Sequence, residues 1–252
     1  MIEVQQLHKR YADDAVLTDI NLRIDSTGVV AIIGPNGAGK STLLTIMSRL
    51  QQPSHGRVRL DGEDIHQMPT RQLAQRLAIL RQENHFVSRL TVRELVSFGR
   101  YPHSQGKLRQ RDWQSIEQAL SFLDLLPLQH RYLDQLSGGQ RQRAYVAMVL
   151  CQETDYVLLD EPLNNLDIHH AVSMMKLIRR AADELKRTII IVIHDINFAA
   201  AYADQIIALK DGQIACQGTP TEIMRTSVLS PIFNLPITIA PYEKHPLAVF
   251  YR

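Results

Sequence analysis

The stretch Val29-Val30-Ala31-Ile32-Ile33-Gly34-Pro35-Asn36-Gly37-Ala38-Gly39-Lys40-Ser41 decides the fold. Its first five residues are a continuous apolar run, the pattern of a strand buried on both faces. The next eight satisfy G-x-x-x-x-G-K-[ST] in full. From Ser41 onward, Leu43, Ile46, Met47 and Leu50 follow the i, i+3, i+4, i+7 spacing of an amphipathic helix. Strand, glycine loop and helix in that order make an anion site. The loop can curl so that its N–H groups face phosphate oxygens beside the positive end of the helix. Gly34, Pro35, Asn36, Gly37, Ala38, Gly39, Lys40, Ser41 and Thr42 are therefore the expected nucleotide contacts. Lys40 is expected to reach the β- and γ-phosphates, and the Ser41 hydroxyl to bind Mg²⁺.

Further strands are expected at Ile2 to Leu7, Ile20 to Ile24, Arg57 to Leu60, Leu77 to Leu80, Tyr156 to Leu159, Ile189 to Ile193 and Ile206 to Leu209. A helical stripe of Ile168, Ala171, Val172, Met175, Ile178, Ala182 and Leu185 separates two of them. Strand–helix–strand alternation indicates an α/β fold with a mostly parallel sheet, preceded by an N-terminal antiparallel strand region. Asp211-Gly212 reads as a hairpin turn into Gln213 to Cys216. From about Glu83 to Leu150 no strand pattern appears, and Trp113, Ile116, Leu120 and Leu123 recur at helical spacing. That stretch reads as a helical insertion with Trp113 as a core anchor. The tail from Thr221 to Arg252, with Pro231, Pro236, Pro241 and Pro246, reads as irregular. The expected organisation is one domain over 1–252. Its nucleotide-binding core is 1–82 and 156–220, its helical subdomain 83–150 and its tail 221–252.

Composition narrows the class. The 252 residues carry 28 Lys and Arg against 26 Asp and Glu, a net charge of +2, which gives no support to a nucleic-acid binder. Apolar residues make up 45%, enough for a packed core. Cys151 and Cys216 exclude a disulfide framework and fit no paired zinc spacing, so both read as small buried hydrophobes. Met1-Ile2-Glu3-Val4 lacks a basic region followed by an apolar run, so no signal peptide is expected. The apolar runs fall far short of the roughly 18 residues that span a bilayer.

Tyr156-Val157-Leu158-Leu159-Asp160-Glu161 is an apolar strand ending in two carboxylates. Asp160 is placed to hold Mg²⁺ beside the phosphate loop, and Glu161 to polarise an attacking water as a general base. Leu136-Ser137-Gly138-Gly139-Gln140 precedes a long helix. In isolation Ser137 reads as an ordinary N-cap, but Ser-Gly-Gly also makes a second anion-binding helix terminus.

With that element the chain resembles the ATP-binding subunits of ABC transporters, P-loop NTPases whose signature motif is similar to Leu136–Arg143, LSGGQRQR. The resemblance covers Ile2 to about Pro220. It implies an adenine-stacking role for Tyr11 and a Q-loop role for Gln82, which senses Mg²⁺ and the attacking water. Leu166-Asp167 resembles the D-loop, with Asn164-Asn165 where the family's serine usually stands, and His194 resembles the switch histidine at the γ-phosphate. His169 and His170 are adjacent, so on a helix they point about 100° apart and not to one metal.

The resemblance also implies a head-to-tail homodimer. ATP and Mg²⁺ would be held by Lys40, Ser41, Gln82 and Asp160 of one copy, and capped by Ser137, Gly138, Gly139, Gln140 and Asp167 of the other. Membrane-spanning permease subunits, an extracytoplasmic substrate-binding protein and a peripheral place on the cytoplasmic face of the cell membrane follow, with no nucleic-acid partner expected. Phe98-Gly99-Arg100-Tyr101-Pro102-His103 is similar to the same segment in iron–siderophore, haem and vitamin B12 importer ATPases, and Asp134 through Asn165 is most like the ferric-siderophore members. Haem or vitamin B12 import, or a soluble ABC ATPase acting on nucleic acid, stand as alternatives. Phe86, Val87 and Leu90 are candidates for the permease contact, or equally for the core of the insertion.

Overall fold

Alternation builds the first layer. In the computed structural model, which describes every residue except 13, 26, 83–88, 243–244 and 251–252, Ile2, Val4 and Leu7 of β1 (Ile2–Tyr11) are buried. The same holds for Leu17, Ile20, Leu22 and Ile24 of β2 (Asp14–Ile24). Both strands run longer than their apolar cores, carried by antiparallel pairing out to Tyr11↔Asp14. With β4 (His55–Leu60) and β5 (Glu63–Asp64) they form one sheet in the order β2-β1-β4-β5.

The run at Val29 is β3 (Gly28–Ile33), every residue of it buried. It lies within a six-stranded sheet beside β9 (Gln205–Lys210) and β8 (Thr188–Val192). β7 (Tyr156–Asp160) and β6 (Leu77–Leu80) follow on one side and β10 (Gln213–Gly218) closes the other, in the order β10-β9-β3-β8-β7-β6. The pairs β9–β3, β3–β8, β8–β7 and β7–β6 are parallel, while β10 runs antiparallel to β9. Period 2 divides the core. Val30, Ile32, Leu158, Ile190 and Val192 pack with the first sheet and α1 (Lys40–Met47), while Val29, Ala31, Ile33, Leu159 and Ile191 face the helices opposite. Each buried Val, Leu or Ile side chain among these contributes about 1.5–3 kcal/mol. The result is a rigid C-terminal edge on the parallel strands.

Before the tail, the other α-helices among the described residues are α2 (Thr70–Arg76), α3 (Val92–Ser97), α4 (Tyr101–Ser104), α5 (Gln110–Phe122), α6 (Gly138–Leu150), α7 (Ile168–Glu184) and α8 (Ile196–Tyr202). Among the described residues, 89–150 contain no strand, only the isolated bridge Thr91↔Tyr132. Thr91 and Glu94 start α3 as a reciprocal capping box. The region is tied to the core by Arg100. This buried guanidinium meets Asp112 Oδ1 at 3.1 Å, the Cys151 carbonyl at 2.7 Å and Glu153 Oε2 at 2.9 Å.

Several expectations need correction. Trp113 is no core anchor: it is 41% exposed beneath the Arg93 guanidinium, because the buried stripe of α5 is Asp112, Ser115, Ile116, Ala119 and Leu120. Ile168 is 79% exposed at the first turn of α7, and Leu185 lies beyond the helix end; Met174, Leu177 and Ala181 bury in their place. Leu50 lies past the end of α1 and is exposed. Cys216 is only half-buried on the alternating edge strand β10. The tail is regular, with α9 (Pro220–Ile223), α10 (Thr226–Phe233) and a hairpin of β11 (Thr238–Tyr242) and β12 (His245–Val249). Asn197 of α8 exchanges hydrogen bonds with the Ala248 backbone and docks that hairpin. Phe86 and Val87 lie outside the described residues, and Leu90 packs partly buried against the core.

Candidate functional site

Four strands deliver their C-terminal ends to one place, the edge at which open α/β sheets bind ligands. β3 leads into 34–39, β6 leads to Gln82, β7 ends in Asp160, and β8 leads through Ile193, whose N–H bonds Ile32, to His194. Glycine is required at two points of the loop. A Cβ on Gly34 (φ +145°) would stand 2.2 Å from the Leu209 carbonyl oxygen. One on Gly39 (φ +93°) would meet Leu17 Cδ2 at 2.5 Å and the Val16 carbonyl at 3.0 Å. Gly39 is also the N-cap of α1 and supplies no side-chain acceptor, so the N–H groups of the first turn are offered to an external anion.

Lys40 is buried, and its Nζ donates to the carbonyls of Gly34 and Pro35, both at 2.9 Å. Burial pushes its pKa down, with Glu161 and Asp160 pulling it partly back. A phosphate would give this ammonium a charge-assisted bond stronger than either carbonyl provides. The Ser41 hydroxyl donates to Asp160 Oδ1 at 2.8 Å. Burial pushes the Asp160 carboxyl up, opposed by that same hydroxyl. A hydroxyl and a partly desolvated carboxylate this close at the loop's mouth are the hard oxygen donors that Mg²⁺ takes.

Glu161 turns off the strand end at φ +50°, and its side chain is 9% exposed. Its Oε1 lies 2.7 Å from His194 Nε2, and its Oε2 accepts from Gln82 Nε2 at 2.8 Å and also from Asn164 Nδ2. Three side chains from three segments thus fix one carboxylate. A cavity of about 740 Å³ brings together Tyr11, Asn36, Gly37, Gly39, Lys40, Ser41, Thr42, Gln82, Glu161 and His194, and adds Val16 and Asn164. Gly34, Ala38 and Asp160 lie buried behind that surface, and Pro35 is half-buried. Tyr11 stands at the rim, 45% exposed, its hydroxyl bonded to Gln51 and its ring beneath Lys9 Nζ at 4.9 Å. Asn164, expected only as part of the D-loop, proves to be a partner of Glu161. Its position three residues after Glu161 was visible, but its contact is made by the turn at 161–164.

Ser137, Gly138, Gly139, Gln140 and Asp167 do not line this cavity. They lie on a second face of the same chain, where Ser137, Gly138 and Asp167 are exposed, Gln140 is half-buried and Gly139 is buried. Ser137 caps α6 in a reciprocal box with Gln140, and Asp167 caps α7 through the His170 N–H at 2.8 Å. The His170 backbone and ring hold the Asp167 carboxyl below its ordinary range. The rings of His169 and His170 stand at 90° with centroids 5.4 Å apart, and one atom from each and one Asp167 oxygen lie within 4.8 Å of one another.

A family model described as ABC transporter matches residues 17–164. The chain is 49% identical over 251 residues to the petrobactin import ATP-binding protein YclP of Bacillus subtilis (strain 168), covering all of both chains. It is 52% identical over 250 residues to the petrobactin import ATP-binding protein FatE of Bacillus anthracis, covering 99% of this chain and 100% of that one. Among solved structures, the dimeric post-hydrolysis state of the ATP-binding cassette MJ0796 bound to ADP and Pi superposes with a TM-score of 0.76 at 27% identity, over 87% of this chain and 99% of that one. With its phosphate loop, acidic strand end and signature turn in place, the chain belongs to the ABC transporter family, as an ATP-binding subunit whose ATPase chemistry is coupled to transport.

Proposed function

We propose that this ATPase energises the import of a ferric siderophore, with petrobactin the first cargo to test. The observation that carries the cargo is full-length identity of about half to two proteins named for petrobactin import. The motor itself would not touch the cargo.

The chemistry assigned to the site follows from its contacts. The loop N–H groups and Lys40 bind the phosphates, and Lys40 exchanges its two carbonyl partners for phosphate oxygens. Water attacks the γ-phosphorus and gives its proton to a Glu161 carboxylate oxygen, while the bond from the γ-phosphorus to the β–γ bridging oxygen breaks and ADP leaves with that oxygen. Gln82, His194 and Asn164 hold that carboxylate in line, so its orientation is set before the water arrives. Mg²⁺, held by Ser41 and Asp160 with the amide oxygen of Gln82, would neutralise charge on the phosphate oxygens when bound. The Tyr11 ring is the assigned support for adenine.

Two copies work head to tail in this reading. Ser137, Gly138, Gly139, Gln140 and Asp167 lie off the cavity of their own chain, which supports their serving the nucleotide of the other copy. ATP between two helix N-termini stabilises the closed pair, and loss of the γ-phosphate releases it. The assembly further comprises membrane-spanning permease subunits and an extracytoplasmic binding protein, with this chain peripheral on the cytoplasmic face. Among the described residues no helix is long and apolar enough to cross a membrane. Residues 1–82 and 156–220 act as the nucleotide-binding core of one domain, 83–150 as the helical subdomain that meets the permease, and 221–252 as a tail.

Radioiron uptake tests this. Cells lacking the chain are given radioiron as ferric petrobactin, ferric enterobactin, a ferric hydroxamate or haem, and radiocobalt as vitamin B12, and are complemented with the parent or with Glu161→Gln. Siderophore uptake restored by the parent alone is the expected result. Normal siderophore uptake without the chain, beside a defect for haem or vitamin B12, would move the cargo assignment there.

A further inference from the structure

On the second surface, Gly139 and His170 make a contact that neither motif requires. A Cβ on Gly139 would stand 2.3 Å from Cδ2, 2.7 Å from Cγ and 3.1 Å from Nε2 of His170. The imidazole fills the space that a side chain would take on the first turn of α6. Its other edge is tied down: Nδ1 lies 2.8 Å from both carboxylate oxygens of Asp167, the residue that caps the His170 backbone N–H. Beside it, a Cβ on Gly138 would approach the Asn165 carbonyl oxygen at 4.0 Å. One ring is thus clamped between the start of α6 and the start of α7.

We propose that His170 is a positioning residue that locks the turn Ser137–Gln140 to the loop ending at Asp167, so that the two dock on a second copy as one rigid unit. The proposal rests on the two-copy reading above. Its physical basis is the weakness of what it braces. α6 opens on two glycines, which lose the most conformational freedom of any residue on becoming helical and carry no side chain to hold the turn in place. The Ser137–Gln140 box fixes that turn to itself, whereas His170 fixes it to the neighbouring element. A flat ring is suited to this task. It lets the Gly139 backbone approach closely on one side and donates to a carboxylate on the other. His170 is absent from the cavity lining, so its loss acts on docking and leaves the nucleotide affinity of a single copy in place.

The test has two arms on the full chain. The first is a double-mutant cycle in urea unfolding with Gly139→Ala, His170→Ala and both together. Gly139→Ala should destabilise the parent, where the methyl group meets the ring. With His170→Ala present the sign should reverse, because alanine favours a helix over glycine. An equal effect of Gly139→Ala in both backgrounds would overturn the clamp. The second arm measures dimerisation by sedimentation in the slowly hydrolysing Glu161→Gln background with ATP and Mg²⁺. Adding His170→Ala should raise the dimer dissociation constant about tenfold, equivalent to about 1.4 kcal/mol, while ATP affinity of the monomer stays within about twofold. Unchanged dimerisation would overturn the positioning role, and so would loss of ATP affinity in parallel with it. If Glu161→Gln alone fails to dimerise with ATP, the two-copy reading falls, and the unfolding cycle decides the contact independently.

Discussion

Replacing Arg100 with methionine separates the brace of the helical region from the chemistry of the site. The guanidinium is 2% exposed and bonds two carboxylates and a carbonyl. Removing one partner of a buried ion pair costs about 3–5 kcal/mol, mostly because the remaining charge is stranded. Here the stranding is softened, since Asp112 keeps the Arg109 N–H at 2.9 Å and Glu153 keeps the Ser115 hydroxyl at 2.8 Å. The expected loss is therefore about 3 kcal/mol, or about 6–12 °C in melting temperature at this chain length. Acid should erase part of the difference. Burial pushes both carboxyls up, but the Arg109 N–H and Arg100 hold Asp112 below its ordinary value, and the Ser115 hydroxyl and Arg100 do the same for Glu153. A group with a depressed folded pKa contributes stability above its unfolded value, near about 4, and loses it as pH falls through the folded one. The Arg100→Met penalty should thus be full at pH 7 and smaller near pH 3.5. Urea unfolding followed by circular dichroism at both values reads it, with ATP binding to the folded variant unchanged. A loss below about 1 kcal/mol, or one that does not shrink in acid, would refute the reasoning.

Gly39→Ala forces a left-handed backbone on alanine, at about 1–2 kcal/mol, and drives its methyl group into Leu17 and Val16. Calorimetric titration should show more than about tenfold weaker ATP binding, and parent-like affinity would contradict the loop argument. For the thiols, burial pushes Cys151 up to about 12 and raises the half-buried Cys216 as well. An aromatic disulfide reagent should label Cys216 slowly in the native protein and Cys151 only after unfolding; rapid native labelling of Cys151 would show that its burial is misjudged.

What the sequence discloses here is what repeats or stands in line. Val29–Ile33 and the eight residues after it announce strand, loop and helix because burial, curvature and charge are all local demands. Gln82, Asp160, Glu161 and His194 are legible as strand-end residues, and parallel pairing alone brings them to one edge. Contacts across the fold are not written that way. Asn164 reaches Glu161 by a turn, and His170 reaches Gly139 by helix packing, with no spacing rule to signal either. Trp113 misleads because it stands three residues before Ile116, whereas the buried stripe runs back from Ile116 through Ser115 and Asp112, polar residues that apolar spacing does not mark. The tail hairpin is hidden by Pro241 and Pro246. They break the expected pattern yet sit directly opposite each other in a two-stranded sheet that can spare their N–H groups.

In the proposed mechanism Glu161, fixed by Gln82, His194 and Asn164 beside the phosphate loop, accepts the proton of the attacking water. Steady-state turnover of Mg·ATP by the purified chain and by Glu161→Gln tests it most directly. Glu161→Gln should bind ATP within about twofold of the parent and turn it over at least about 100-fold more slowly. A variant that binds ATP normally and turns it over within a few fold of the parent would contradict it.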